Sequence, residues 1–256
     1  MNQSTIIKRP SKLLLVTEGY RCFSELGSYY ATASFLKKTK NGDGHPVLVI
    51  PGFMASDFST TILRKFLKEK GYTPYAWELG RNLGYEKYWF DVVDRFLAIH
   101  KETEQPISII GWSLGGVFAR HVARLHPDKV RQIITLGSPF AGIKKPNNAA
   151  WLYRLIANEK IEDLDHEFLT NLPKPLAVPT TSIYSKADGI VSWKTCIEEE
   201  LSENGQNIQV RGSHIGLGIN PTVLKLIADR LKYSKDNWKK FTPKSTIERM
   251  MFYPSF

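Results

Sequence analysis

The chain has 256 residues, of which 42% are hydrophobic and 23% are charged, and this composition excludes a disordered, collagen-like or mucin-like protein. The formal net charge is +10, which would suit nucleic acid if the basic residues shared one surface. They are instead concentrated at the ends: residues 1–40 hold seven Lys or Arg and two acidic residues, residues 232–256 hold six and two, and residues 41–231 hold 22 and 21. A nearly neutral centre argues against a nucleic-acid partner.

Hydrophobic periodicity predicts helices and strands in alternation. A helix is predicted at residues 11–36, followed by a turn rich in Gly and Asn at residues 40–46. Predicted strands then lie at residues 47–50, 72–77, 107–110, 130–136, 183–184 and 208–210, and predicted helices at residues 60–70, 85–103, 115–126 and 221–231. Strands separated by helices favour the α/β class, with a mostly parallel central sheet and helices on both faces.

Charge and aromatic content divide the chain into three predicted parts. A basic helical extension occupies residues 1–40, an α/β domain occupies residues 41–231, and a basic tail with aromatic residues occupies residues 232–256. Lysines interleaved with Trp238 and Phe241 suit an anionic membrane surface, where ammonium groups meet lipid headgroups and aromatic rings lie at the acyl boundary. The alternative is that the tail packs on the domain and keeps its lysines in solvent.

The sequence shows neither a disulfide framework nor a membrane-spanning segment. Cys22 and Cys196 are the two cysteines, too few to staple a domain of this size. No apolar run approaches the ~20 residues that span a bilayer, and the basic N-terminus lacks the apolar core and cleavage site of a signal peptide. We expect an uncleaved chain in the cytoplasm, with peripheral membrane contact through its extensions.

One segment carries a nucleophile signature. The predicted buried strand at residues 107–110 leads into Gly-Trp-Ser-Leu-Gly at residues 111–115, and a predicted helix follows at once. Gly-x-Ser-x-Gly between a strand and a helix is typical of a nucleophile elbow, a strained turn on which larger flanking side chains would collide. Such a turn exposes the Ser113 hydroxyl and directs the Leu114 N–H at a developing oxyanion. The sequence therefore predicts Ser113 as a nucleophile.

A base and an orienting acid are expected on later loops, in the chain order serine, acid, histidine. His214 directly follows the last predicted strand, between glycines, whereas the other five histidines lie in predicted helices, in a long connection or before the first strand. Asp188 follows the preceding predicted strand, where a carboxylate would hold the imidazole in the tautomer whose free nitrogen faces Ser113. Asp163 and Asp165 are the alternatives to Asp188.

A second oxyanion donor and an apolar pocket complete the predicted site. The loop at residues 51–54 would direct the backbone N–H of Phe53, or that of Met54, at the oxyanion. The connection at residues 140–178 has an amphipathic pattern and would cover the carboxyl ends of the strands as a helical lid. The side chains expected to contact the substrate, each of which could equally pack in the core, are Met54, Trp112, Trp151, Leu155 and Phe168.

With these motifs the sequence resembles the α/β-hydrolase superfamily, in particular its single-domain lipase and esterase-like members. The resemblance covers about residues 46–231, and its motifs lie at residues 47–53, 111–116, 136–142, 185–191 and 212–214. It implies an α/β-hydrolase fold with a lid insertion and neither a metal nor an organic cofactor. Ser113 would be the nucleophile, His214 the base and Asp188 the orienting acid, with Phe53 and Leu114 forming the oxyanion hole.

Two positions are informative about the place of the chain within that superfamily. Many relatives carry His-Gly where this chain has Pro51-Gly52, so the support that a histidine side chain gives this loop is missing. The related polyester synthases place Cys at the nucleophile position, and Ser113 argues against that branch.

Residues and resemblance together predict a serine hydrolase that cleaves carboxylic esters through an acyl-enzyme on Ser113. The expected partner is a small ester or lipid substrate, and no oligomeric state is predicted. One alternative is an acyltransferase that passes the same acyl group to an acceptor other than water. The other is a catalytically inactive module that binds a membrane or a partner on the same scaffold.

Overall fold

A sheet of parallel strands forms the centre of the molecule. The computed structural model describes residues 7–37, 42–84, 87–142, 148 and 170–255. In this part of the chain the strands are β1 (Pro46–Ile50), β2 (Thr73–Ala76), β3 (Ile107–Trp112), β4 (Val130–Leu136), β5 (Thr180–Ser185) and β6 (Gly205–Val210). Their order is β2-β1-β3-β4-β5-β6, and every neighbouring pair is parallel.

Helices cover both faces of this sheet. They are α1 (Lys12–Lys37), α2 (Thr61–Lys70), α3 (Tyr88–Thr103), α4 (Leu114–Leu125), α5 (Pro221–Leu231) and α6 (Thr246–Phe252). Val47 and Val49 of β1 pack in the core cluster of α1, α2 and α5, whereas Leu48 and Ile50 pack in the cluster of α3 and α4. Successive side chains of a strand point to opposite faces, so the continuous apolar run of β1 results from burial on both sides.

The predicted fold class is confirmed. The tail contains an additional helix, α6, and the strands differ from the prediction at their ends. β5 begins at Thr180 and β6 at Gly205, both earlier than the sequence predicts. Thr180, Thr181 and Ser182 are almost completely buried, and Thr181 pairs with Ile134 of β4. Polar residues therefore extend the strand because neighbouring backbones supply its hydrogen bonds, which hydrophobic periodicity does not reveal.

Both terminal segments pack on the domain. Tyr29 of α1, with Phe241 and Tyr253 of the tail, lies in the same core cluster as α2 and α5. Trp238 is 9% exposed, and the guanidinium of Arg230 lies 5.8 Å from its ring centroid. Trp238 and Phe241 therefore belong to the interior, as in the interpretation that packs the tail on the domain.

Most of the segment predicted as a lid, with Trp151, Leu155 and Phe168, lies outside the described residues, and so do Asp163 and Asp165. The segment leading into β5 is described, and a buried ion pair holds it. Arg120 of α4 pairs with Glu198, and their side chains are 0% and 1% exposed. Arg120 also donates to the carbonyls of Leu172 at 2.8 Å and Lys174 at 2.7 Å. One guanidinium thus holds together α4, the segment at residues 172–174 and the loop that contains Glu198.

Replacement of this guanidinium should be costly. We expect Arg120→Met to lower the free energy of unfolding by about 3–5 kcal/mol, because the buried carboxylate of Glu198 would lose its hydrogen-bonded ion-pair partner. Urea denaturation followed by circular dichroism measures the change. As a control, Arg124→Met on the same helix removes a more exposed bond to the Lys174 carbonyl and should cost about 1 kcal/mol. Equal losses in the two variants would contradict the role of the buried pair.

Candidate active site

Ser113 lies on a strained turn between β3 and α4. Its backbone angles are φ 52° and ψ −122°, in a region that residues with a side chain rarely adopt. The turn is also crowded: a Cβ on Gly111 would lie 2.3 Å from the Cα of Gly116, and a Cβ on Gly115 would lie 2.3 Å from the carbonyl oxygen of Ile50. These are the features that a nucleophile elbow requires of its glycines.

The structure brings together the three side chains predicted to act in concert. Ser113 follows β3, Asp188 follows β5 and His214 follows β6, all at the carboxyl ends of the strands. Nε2 of His214 lies 3.0 Å from Oγ of Ser113, and its Nδ1 lies 2.5 Å from Oδ2 of Asp188. The other carboxylate oxygen, Oδ1, accepts the N–H groups of Ile190 at 2.8 Å and Val191 at 2.7 Å. Both oxygens of the acid are therefore held in place.

The surroundings of the imidazole favour its protonated form. Burial by itself lowers the pKa of His214, but the charge of Asp188 and the hydrogen bond to it act in the opposite direction, and the charge of Glu18 adds to them. The result is a pKa above the ordinary value of 6.5. An imidazole of raised pKa is the stronger base toward the adjacent hydroxyl, and its charged form is stabilised once the proton arrives.

The loop after β1 lies directly against the elbow. A Cβ on Gly52 would lie 3.0 Å from the Cβ of Ser113. The N–H of Met54 donates to the carbonyl of Asn82 at 2.7 Å, so Met54 is excluded as an oxyanion donor while this bond is made. Phe53 stays the candidate donor from this loop. The second candidate, the N–H of Leu114, lies at the first residue of α4, where the helix dipole favours negative charge.

Asn82 gives this loop the support that the missing histidine would otherwise supply. It is fully buried, and its Nδ2 donates to the carbonyl of Pro51 at 2.9 Å. Its own carbonyl accepts the N–H of Met54, and its N–H donates to the carbonyl of Ala55 at 2.8 Å. No sequence motif distinguishes Asn82, since its partners lie in another part of the chain.

Trp112, predicted as a substrate contact, is nearly buried beside the loop that carries His214. It is 8% exposed and packs in the core, and its indole Nε1 donates to the backbone carbonyl of His214 at 3.1 Å. It thus supports the loop that carries the imidazole. Met54 is half-buried at the edge of the site. Among the described residues, no group of three His, Cys, Asp or Glu side chains could hold a metal ion.

Comparison with known proteins agrees with this geometry. Residues 46–187 match the family model described as palmitoyl protein thioesterase. A pimeloyl-[acyl-carrier protein] methyl ester esterase of Aromatoleum aromaticum is 34% identical over 86 residues, which cover 32% of this chain and 34% of that protein. A carboxylesterase of Bacillus subtilis is 28% identical over 110 residues, which cover 40% and 44%. The chain therefore spans less than half the length of these curated relatives.

Solved structures share the fold at low sequence identity. Aspergillus fumigatus lipase B superimposes with a TM-score of 0.58 at 19% identity, over 77% of this chain and 55% of that one. A monoacylglycerol lipase of Paleococcus ferrophilus gives 0.52 at 16% identity, over 72% and 94%. The family match extends from β1 through the elbow and ends one residue before Asp188, which is more than half of the sequence. The chain belongs to the palmitoyl protein thioesterase family, within the α/β-hydrolase superfamily.

Proposed function

We propose that the protein hydrolyses carboxylic esters through an acyl-enzyme on Ser113. The observation that carries this proposal is the position of His214, whose two ring nitrogens lie 3.0 Å from Oγ of Ser113 and 2.5 Å from Oδ2 of Asp188. A base in contact with a hydroxyl and oriented by a carboxylate is the arrangement that turns serine into a nucleophile. The esterase, lipase and thioesterase names of the relatives support an acyl carbonyl as the group attacked.

In the acylation step, Oγ of Ser113 attacks the carbonyl carbon of the ester while Nε2 of His214 accepts the hydroxyl proton. The electron pair of the carbonyl moves to its oxygen, and the N–H groups of Phe53 and Leu114 stabilise the oxyanion. When the tetrahedral intermediate collapses, His214 returns the proton to the leaving alcohol. Throughout, Asp188 holds the ring orientation and stabilises the imidazolium.

In the deacylation step, water takes the place of the alcohol. His214 accepts a proton from water, whose oxygen attacks the acyl carbon, and then returns this proton to Oγ of Ser113 as the acid leaves. A thioester carbonyl would be attacked in the same way with a thiol as the leaving group. The family description supports an apolar acyl chain as the group transferred to Ser113.

Removal of the nucleophile provides the direct test. We expect Ser113→Ala to lower the turnover of p-nitrophenyl esters by about 10⁴-fold or more, since His214 and Asp188 then have no hydroxyl to activate. A fluorophosphonate probe should label Ser113 in the native protein. Ser182→Ala is the matched control, because Ser182 is buried in β5 with an Oγ that makes no hydrogen bond. Absence of labelling at Ser113 in folded protein would contradict the proposal and favour an inactive binding module.

The raised pKa of His214 sets the pH dependence. Only the neutral imidazole can accept the proton of Ser113, so kcat/KM should fall as the pH drops through this pKa, with the acid limb above pH 6.5. Asp188→Asn removes the carboxylate charge and should move that limb to lower pH while reducing kcat by about 10⁴-fold. A pH–rate series on the two proteins measures both effects. An acid limb below 6.5 in the native protein would contradict the raised pKa, and a limb that Asp188→Asn leaves unmoved would contradict the assignment of His214 as the base.

A further inference from the structure

One buried carboxylate joins the inner face of α1 to the candidate active site. Glu18 is 2% exposed. Its Oε1 accepts the N–H of Gly189 at 2.8 Å and that of His214 at 3.1 Å. Its Oε2 accepts the N–H of Ile215 at 3.0 Å, and Arg21 on the next turn of the helix pairs with it at 2.8 Å. Glu18 thus ties the loop after β5 to the loop after β6.

Further contacts fix α1 against the same two loops. Nη1 of Arg21 donates to the carbonyl of Ala187 at 2.7 Å. A Cβ on Gly189 would lie 2.5 Å from the backbone of α1, so only glycine allows the helix to approach this closely. Farther along α1, Glu25 accepts the N–H of Ser213 at 2.8 Å. The helix therefore contacts the residues on either side of the candidate acid and base.

We propose that Glu18 is a positioning residue for the candidate reaction. By binding backbone N–H groups of both loops, it sets the separation between Asp188 and His214, and its charge faces the imidazole. The expected effect on turnover rests on the function proposed above. The effect on the imidazole does not, because the titration of His214 can be followed in the absence of substrate.

The charged groups around the imidazole predict the direction in which the pKa of His214 changes when the charge of Glu18 is removed. Asp188 faces His214 from the loop after β5 and Glu18 faces it from α1, and both raise its pKa. Arg21 pairs with Glu18, and Glu25 lies farther along the same helix. Loss of the Glu18 charge should therefore lower the pKa of His214, which moves the acid limb of the rate profile to lower pH.

Glu18→Gln tests the proposal in the full-length protein. We expect kcat to fall about 10- to 100-fold, since loops displaced by a fraction of an ångström no longer align the reacting groups, with KM for a short ester changed by less than about twofold. The NMR titration of the His214 imidazole should shift to lower pH. A kcat within twofold of the native value together with an unmoved titration would overturn the proposal.

Two further variants distinguish the effects of the charge and reach of Glu18 from a general effect of docking α1 on the domain. Glu18→Asp keeps the charge but shortens the reach, so kcat should fall while the His214 titration moves less than in Glu18→Gln. Glu25→Gln removes the other carboxylate of the inner face, which is not among the causes of the raised His214 pKa, and should leave that titration at its native position. Equal shifts in Glu18→Gln and Glu25→Gln would show that only helix docking matters and would overturn the proposal.

The outer face of the same helix carries a second inference, from different residues. Its apolar stripe, defined as Leu13, Val16, Tyr20, Phe23 and Tyr30, recurs at spacings of three, four and seven residues, so that the side chains share one face. Each of the five is at least 67% exposed. No helix in the described part of the chain is long and apolar enough to cross a membrane. The stripe is thus an exposed apolar surface of the kind that marks an interaction site.

Positive charge beside the start of α1 favours an anionic occupant. Glu18 and Glu25 bind the inner loops, so the outer face of α1 carries no carboxylate. A cavity of about 420 Å³ beside the start of α1 is lined by Lys8, Arg9, Lys186 and Lys194, among others. The buried carboxylate of Asp188 also lines it, but the oxygens of that residue are taken by His214 and by backbone N–H groups. The described residues place no carboxylate in salt-bridge contact with these four cations.

We infer that the apolar stripe docks on an anionic phospholipid bilayer. Aromatic and aliphatic side chains would lie at the acyl boundary, with the four cations at the headgroup phosphates. A second copy of the chain is the competing occupant, because the spacing also suits a helix pair. Such a pair normally places charged residues beside its seam, whereas Glu18, Arg21 and Glu25 of α1 bind the inner loops.

Vesicle sedimentation with the full-length chain tests this inference. We expect stronger binding to phosphatidylcholine vesicles containing phosphatidylglycerol than to phosphatidylcholine alone, with a decline as salt rises. Phe23→Glu should weaken the partitioning about tenfold or more, and Lys194→Glu should reduce the preference for anionic lipid about tenfold, since three of the four cations stay in place. Phe90→Glu, at a residue of α3 that is 68% exposed, is the control and should bind like the native chain.

Two results would overturn the inference. One is equal vesicle binding by Phe23→Glu and the native protein. The other is a dimer in analytical ultracentrifugation that Phe23→Glu dissociates, which would assign the stripe to a second copy of the chain. Truncation of the tail is unsuitable for this test, because Phe241 and Tyr253 belong to the core cluster of the domain.

Discussion

The pairing of His214 with Asp188 is the interaction on which the candidate site depends. The two residues follow neighbouring strands, and because β5 and β6 are parallel their carboxyl ends lie at the same edge of the sheet. The bond between Nδ1 and Oδ2 leaves Nε2 directed at Ser113, which the elbow after β3 holds in a strained conformation. If the spacing between the two loops changed, the imidazole would turn away from the hydroxyl, so much of the surrounding structure serves to hold these loops.

That support reaches the backbone of His214 from two sides. Trp112 donates to its carbonyl from the core, and Glu18 accepts its N–H from α1, so both polar groups of the peptide are bonded to side chains. Asn82 holds the oxyanion loop through Pro51 in a similar way. None of these three supporting side chains exchanges a proton or an electron pair in the proposed mechanism. Their contribution is to restrict the geometry before the substrate arrives.

Whether the sequence predicted a feature of this arrangement depended on how close together in the sequence the residues that determine it lie. The elbow at Ser113 was predictable because Gly-x-Ser-x-Gly is a short contiguous pattern, even though the backbone that crowds Gly115 belongs to Ile50 of another strand. Trp238 and Phe241 left two interpretations open, because the lysines beside them in sequence suit a membrane surface as well as a solvated tail, and the structure places both rings against Arg230. Whether an aromatic side chain is buried depends on the residues that pack against it in space. The lysines beside it in the sequence do not reveal those residues.

By itself, then, the sequence determined the alternation of strands and helices, the elbow, and the chain order of Ser113, Asp188 and His214, because periodicity and short contiguous motifs can be recognised along the chain. Only the tertiary structure decided that the N-terminal helix belongs to the site. Glu18 is separated from Gly189 by 171 positions and from His214 by 196. A contact of that range depends on how the whole sheet places its loops, and no short segment of the chain contains that information.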